Sequence, residues 1–260
     1  MSLSSEFLPV YVHNALGDAS ELLPDLRGGK ASWRQALDFC GSLRLAGIGS
    51  LFLDGDSEGL LTRLAQSGRA FAFALSKLDD GSKRTSQCLP FFDAVAAGDF
   101  EGATRVARQA RRHWAQGEEY EEDFLFVELL MQRFFLEAER SSCEALLVRY
   151  EQALQGTEDV RWGLVKALLE EDGAAFGAAL SLYLSERRDR IQRQVKKERM
   201  PPELAVTEGY FSVEGLALVR LAERVGLETD EDYLHIPSTA REPLPASFRE
   251  DSWLKLDEGD

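Results

Sequence analysis

Pro90-Phe91-Phe92-Asp93-Ala94-Val95-Ala96-Ala97-Gly98-Asp99-Phe100 carries the pattern of a helical hairpin. Proline suits the first turn of a helix, where its missing N–H has no partner to lose. Residues 91–97 then read as a short apolar helix, Gly98-Asp99 as a turn, and 100–114 as the second helix of a hairpin. Leu164-Val165-Lys166-Ala167-Leu168-Leu169-Glu170-Glu171-Asp172-Gly173 echoes it. In both copies an apolar helical turn ends in a small acidic turn, and an Ala-rich helix follows. Two helices that share a buried face and then meet the next pair describe either a helical bundle or an irregular tetratricopeptide-like array.

Outward from this hairpin the apolar period stays helical. Residues 118–139 carry Phe124, Val127, Leu130, Met131, Phe134 and Phe135 on one broad face. Ser142 starts a helix bearing Leu146, Leu147, Tyr150 and Leu154, and helices over 160–169 and 174–198 follow. Met200-Pro201-Pro202 stops the last of these. Residues 203–211 connect to a helix capped by Ser212 and closed by Gly226. Toward the N-terminus, Trp33, Ala36, Leu37, Cys40, Leu43 and Leu45 mark one helix. Ser57 reads as the cap of another, which carries Leu60, Leu61, Leu64, Phe71 and Leu75. Residues 1–30 read as an irregular arm, with Phe7–Val12 a short strand or extended segment, and residues 228–260 as an extended acidic segment anchored by Leu244, Phe248, Trp253 and Leu256. The expectation is one all-α domain over 1–260, built from antiparallel helical hairpins.

The composition fits that class. The chain has 260 residues, a net charge of −15, 44% hydrophobic residues and only 8 prolines. That is enough apolar surface for a full core and excludes global disorder. No continuous apolar run, 70–75 and 124–127 included, is long enough to span a bilayer, so no membrane contact is expected. The acidic balance opposes nucleic-acid binding, which needs a basic face. Cys40, Cys88 and Cys143 are odd in number, far apart and set among apolar positions, as buried small hydrophobes of a reducing compartment are. Met1-Ser2-Leu3-Ser4-Ser5-Glu6 lacks the basic start and apolar run of a secretory signal, so a cytoplasmic location is expected.

Catalytic and cofactor motifs do not emerge. His13, His113 and His235 are isolated from one another and from the cysteines, so no metal site is expected. Asp54-Gly55-Asp56-Ser57-Glu58-Gly59 begins like a calcium loop, but the position of the bidentate Glu is Ala65, and a helix-capping turn is the better reading. Gly47-Ile48-Gly49 lacks the third glycine and preceding strand of a dinucleotide fingerprint. No phosphate loop and no Gly-x-Ser-x-Gly elbow occurs. No cofactor is expected, and the chain is not read as an enzyme.

Charge patterning says more. Glu118-Glu119-Tyr120-Glu121-Glu122-Asp123 places five carboxylates in six residues at a helix start. The helix dipole offsets their repulsion there, so a solvated helix start explains them. The functional reading is an electronegative patch for a cationic partner, with Tyr120 as an aromatic anchor. On that reading, reversing Glu119, Glu121 and Glu122 to Lys weakens partner binding and leaves stability nearly unchanged. Residues 201–260 add 14 acids against 5 bases. Two basic stretches, Arg105 to Arg112 and Arg187 to Arg199, read as partners for the acidic surface, with Glu186–Arg190 and Asp189–Arg193 in the favourable helical order. Arg220 and Glu214 read as a buried structural pair.

Several stretches resemble a known family. Gly117-Glu118-Glu119-Tyr120-Glu121-Glu122-Asp123-Phe124 opens a long apolar helix. Gly209-Tyr210-Phe211-Ser212-Val213-Glu214-Gly215-Leu216-Ala217-Leu218-Val219-Arg220-Leu221-Ala222-Glu223-Arg224-Val225-Gly226-Leu227 is followed by Ile236-Pro237-Ser238. With the Ala97-Gly98-Asp99 turn, these resemble the immunity protein 49 family of bacterial polymorphic toxin systems, of the contact-dependent or type VI secretion kind, over residues 90–240. The resemblance implies an all-α protein, encoded beside a toxin gene, that binds the cognate toxin and neutralises it without catalysis. The toxin is expected to be basic and, given the missing signal, to act in the cytosol as a nuclease or nucleotide-modifying enzyme. Glu118, Glu119, Tyr120, Glu121, Glu122 and Asp123 are the candidate contact residues on chemistry alone. A helical-repeat scaffold binding an endogenous peptide or regulator is the alternative, and an uncharacterised all-α enzyme would declare itself by a deep pocket with convergent carboxylates of perturbed pKa.

Overall fold

The computed structural model describes residues 5–242 and 248–256. Among them lie eleven α-helices and no strand. They are α1 (Leu8–Arg27), α2 (Trp33–Asp54), α3 (Ser57–Leu75), α4 (Leu89–Ala96), α5 (Phe100–Gln109), α6 (Glu121–Phe135), α7 (Arg140–Ala153), α8 (Val160–Glu170), α9 (Gly173–Lys196), α10 (Pro202–Val206) and α11 (Val213–Arg224).

The two related hairpins share one turn. Asp99 caps α5 by accepting the Gly102 N–H at 3.0 Å, and Asp172 caps α9 by accepting the Ala175 N–H at 3.0 Å. The residue before each cap is left-handed: Gly98 at φ 77° and Glu171 at φ 58°. Glycine adopts that conformation freely, whereas a side chain costs on the order of 1 kcal/mol. The Asp99 and Asp172 N–H groups return to Ala94 O and Ala167 O.

Helix α4 is the centre of the core, with residues 90–96 all buried. Phe91 meets Phe92 and Phe135 edge-on at 5.3 and 5.2 Å between ring centres. Helices α3, α5 and α11 surround α4, and α11 also touches α9. A stacked array limits each pair to its neighbours. The return of α11 onto α4 makes this a bundle.

Residues 1–30 are not an irregular arm. From Leu8 to Arg27 they form α1, whose buried face is Leu8, Ala15, Ala19 and Leu26. Pro24, which suggests a break, is tolerated because only the last turn follows it, and Pro9 lies in the first turn. Helix α1 lies so close on α2 that a Cβ on Gly49 would fall 2.2 Å from Val12 Cγ2, so Gly49 is a packing residue. By length and composition α2 alone among the described helices would suffice to cross a membrane, although its apolar residues are broken by polar ones. In the fold it is sandwiched between α1 and α3, with Phe39, Cys40, Leu43 and Ile48 fully buried.

Other boundaries shift for local reasons. The cap of α3 is Asp56, which accepts the Gly59 N–H at 2.7 Å, so the calcium-like loop is a capping turn. Helix α5 stops at Gln109, short of 114, because Lys83 takes the Gln109 carbonyl at 2.9 Å and Thr85 takes that of Arg111. Helix α7 starts at Arg140, ahead of Ser142, and Ser212 caps α11 as expected. Gly226 follows α11 at φ 81°.

The C-terminal segment is extended, with short 3-10 turns at Ser238–Arg241 and Ser252–Leu254. It is tied down over α3. Trp253 and Leu256 are buried, Gln66 Nε2 donates to the Ser252 and Lys255 carbonyls, and Arg63 donates to the Leu256 carbonyl. Phe248 packs on the core, and Leu244 lies outside the described residues.

Two buried ion pairs brace the core. Arg44 makes two hydrogen bonds to Asp93, at 2.6 and 2.8 Å, and Arg69 makes two to Asp99, also at 2.6 and 2.8 Å. Cys40, Cys88 and Cys143 are free and buried, and burial pushes the Cys40 thiol up to about 12.

Candidate functional site

The acidic run begins in a turn, not in the helix. Gly117 at φ 81° reverses the chain, Glu118 and Glu119 return their N–H groups to Ala115 O, and α6 starts only at Glu121. Turn and helix start form one wall of an open cleft of about 1210 Å³, whose other walls include Ser86, Trp114, Arg149 and Gln152. All six candidate residues line it, and Tyr120 is 73% exposed at its edge. The structure therefore brings the residues together on one concave face.

Most of the carboxylates are already engaged. Glu118 pairs with Arg84. Glu121 pairs with Arg149 at 2.6 Å, and Asp123 with Arg161 at 2.8 Å. Arg161 also holds Asp159, the cap of α8, at 2.8 Å. Burial works to raise the Asp159 carboxyl, but its hydrogen bonds and ion pair with Arg161 hold it below the usual range. Tyr150, whose phenol is pushed up by burial, donates to Asp159 at 2.8 Å. The run is thus an electrostatic staple joining α6 to α7 and α8. Glu122 makes no ion pair or hydrogen bond among the described residues.

Glu119 plays a different part from the one its sequence context suggests. Oε2 accepts from the Ser86 N–H and hydroxyl at 2.9 and 2.7 Å, and Oε1 accepts from the Ala115 N–H at 3.0 Å. Trp114 Nε1 donates to its carbonyl at 2.9 Å. Reversing Glu119 is therefore expected to cost stability as well as charge. Glu119→Ala strands two backbone donors and is expected to cost about 1–3 kcal/mol in urea denaturation. Glu122→Lys is expected to stay within about 0.5 kcal/mol of wild type, which makes it the clean probe of this cleft.

The basic stretches are only partly absorbed. Arg105 pairs with Glu101 and Glu250, and Arg112 with Glu128. On α9, Arg187 turns inward to the Glu208 and Phe211 carbonyls, and Asp189 pairs with Arg188, not Arg193. Glu186 and Arg190 form no pair. The exposed cations at the end of α9 face its negative dipole end, which favours them without a carboxylate. The Arg220–Glu214 pair does not form either. Arg220 faces Glu223 at 3.6 Å, while Glu214 lies beside Tyr183, whose phenol favours its charged form.

One small cavity of about 100 Å³ gathers Arg44, Asp93, Arg187, Glu208 and Glu214 between α2, α4, α9 and α11. Burial pushes the Asp93 and Glu214 carboxyls up, against the pull of Arg44 on the first and Tyr183 on the second. Convergent carboxylates of this kind are the mark expected of an active site. The volume is well below the ~300–1,000 Å³ of small-molecule pockets, and Asp93 is committed to Arg44 and Ser67. Sequence periodicity did not mark this cluster, because its members come from separated elements. Among the described residues no group of three or more His, Cys, Asp or Glu is arranged to hold a metal ion.

The family model described as Immunity protein 49 matches residues 55–240. No curated protein and no solved structure matches the chain.

Proposed function

The chain belongs to the immunity protein 49 family, and from that premise we propose that it binds a cognate bacterial toxin and neutralises it by protein–protein contact, without catalysis. The single observation that carries this reading is the family match across most of the folded core, from α3 to the turn after α11. The chemistry of the surface supports it. A net charge of −15 and a wide acidic cleft with an exposed Tyr120 suit a basic toxin, because complementary fields raise the association rate and reject wrong partners. The toxin is a nuclease or nucleotide-modifying enzyme that acts in the cytoplasm, where this chain meets it. Neither nucleic acid nor a membrane is a ligand in this reading. The bundle closure by α11 gives no support to a peptide-binding repeat scaffold.

The test is co-expression with the toxic domain encoded beside this gene. Growth should be restored by the wild-type chain and by variants that leave its fold and contact surface intact. Growth arrest in the presence of abundant folded chain would overturn the proposal.

A further inference from the structure

A second concave face lies between α1, α2 and α10, away from the acidic run. It is a groove of about 850 Å³. Its floor is apolar: Leu22, Leu37 and Leu204 are half-buried, and Leu89, the first residue of α4, is 47% exposed. Together these four leucines give the groove an apolar lining that an apolar anchor can cover. Its walls are acidic, with Asp18 and Glu21 from α1, Asp38 from α2 and Glu203 from α10. Asp38 is shared with Arg34 on the surface, while Asp18, Glu21 and Glu203 have no ion pair among the described residues. This distinguishes the groove from the α6 cleft, whose carboxylates are mostly paired.

The inner end of the groove adds a further, partly open carboxylate. Arg44, Leu89 and Glu208 line both the groove and the small cavity behind it. In that cavity Arg44 and Arg187 lie among Asp93, Glu208 and Glu214, and burial pushes the Asp93 and Glu214 carboxyls up. Arg44 is committed to Asp93 at 2.6 Å and reaches Glu208 only at 3.5 Å. Arg187 spends its donors on backbone carbonyls. Glu208, paired with Arg44 at 3.5 Å and still 28% exposed, lines the groove as well and is open to a second cation from that side.

We propose that this groove docks a polypeptide segment of the partner toxin that carries one or two large apolar side chains flanked by Lys or Arg, the apolar group covering Leu89 and a basic group reaching Glu208. The identity of the partner rests on the neutralisation reading; the chemistry of the groove does not. Helices α1 and α2, which supply two of its walls, precede residue 55 and lie outside the matched stretch.

The groove is tested with a fluorescent amphipathic peptide of about 18 residues made of Leu and Lys, titrated into the full chain. Wild type should bind it saturably, and a peptide with Ser in place of Leu should bind about tenfold more weakly or worse. Leu89→Lys and the double variant Asp18→Lys, Glu21→Lys should each weaken binding about tenfold or more, while Glu122→Lys should stay within about twofold. All four altered positions carry exposed or half-exposed side chains without ion pairs, and thermal melting verifies that the variants fold. Absence of saturable binding, wild-type affinity in both groove variants, or a loss confined to Glu122→Lys would each overturn the groove. The same variants in the growth assay separate the two claims. Rescue by wild type and equally by the groove variants overturns the groove as the toxin site and leaves neutralisation standing. No rescue by wild type overturns neutralisation, and the peptide titration still decides the chemistry of the groove.

Discussion

Asp93→Ala is expected to destabilise the protein by about 3–5 kcal/mol, the usual cost of leaving one partner of a buried ion pair alone. Asp93 is fully buried in α4, accepts two hydrogen bonds from Arg44, and takes a third from the Ser67 hydroxyl. Without it, the Arg44 guanidinium stays in the core with only the Glu208 carboxylate at 3.5 Å. Removing both charges together should cost less than removing one, so Arg44→Leu combined with Asp93→Leu is expected to be more stable than Asp93→Ala. Urea denaturation of the three proteins checks this. A single-variant loss under about 1 kcal/mol would show that the pair does not brace the core.

The second large effect is at the other end of the chain. Trp253→Ala is expected to cost about 3–5 kcal/mol, as truncation of a buried aromatic does. Trp253 is 4% exposed, packs against Phe73 and Phe39 with ring centres 5.1 and 6.4 Å away, and sits in the segment that crosses α3. Its loss should also free the 248–256 segment, seen as faster amide exchange there and at Gln66, whose side chain donates to the Ser252 and Lys255 carbonyls. A small change in stability with unaltered exchange would mean that the segment is held by its backbone contacts alone.

What the sequence made legible was local. The α4–α5 and α8–α9 hairpins could be read because Gly98-Asp99 and Glu171-Asp172 carry their turn chemistry within a few residues. The α11 boundaries followed from Ser212 and Gly226 for the same reason. Helix α1 was missed because Pro24, Gly28 and Gly29 suggest breaks, while its buried face of Leu8, Ala15, Ala19 and Leu26 takes meaning only from the close approach of α2. The overlong readings of α5 and α6 failed where tertiary partners intervene: Lys83 and Thr85 claim the end of α5, and Glu119 is held by Ser86.

The candidate site divides in the same way. That Glu118 to Asp123 would gather on one face was legible from their adjacency. That Arg84, Arg149 and Arg161 neutralise three of them was not, because those arginines come from a loop, α7 and α8. The groove was invisible for a related reason. Asp18, Asp38, Leu89 and Glu203 lie on four different helices, and only folding makes them neighbours. Asp93 looked like one acid in an apolar helix. Its position in α8 is taken by Lys166, which lies over Trp162 at the surface, so the echo between hairpins could not flag it.

If this chain silences a toxin by binding it, the two purified proteins must show it in a direct titration. The decisive assay titrates a purified toxic domain, the expected product of a neighbouring gene, with purified chain and follows the catalytic activity of the toxin. Neutralisation by binding requires that activity fall to zero near one equivalent and that the two proteins then run as a single complex. Full toxin activity in a tenfold excess of folded chain would contradict it.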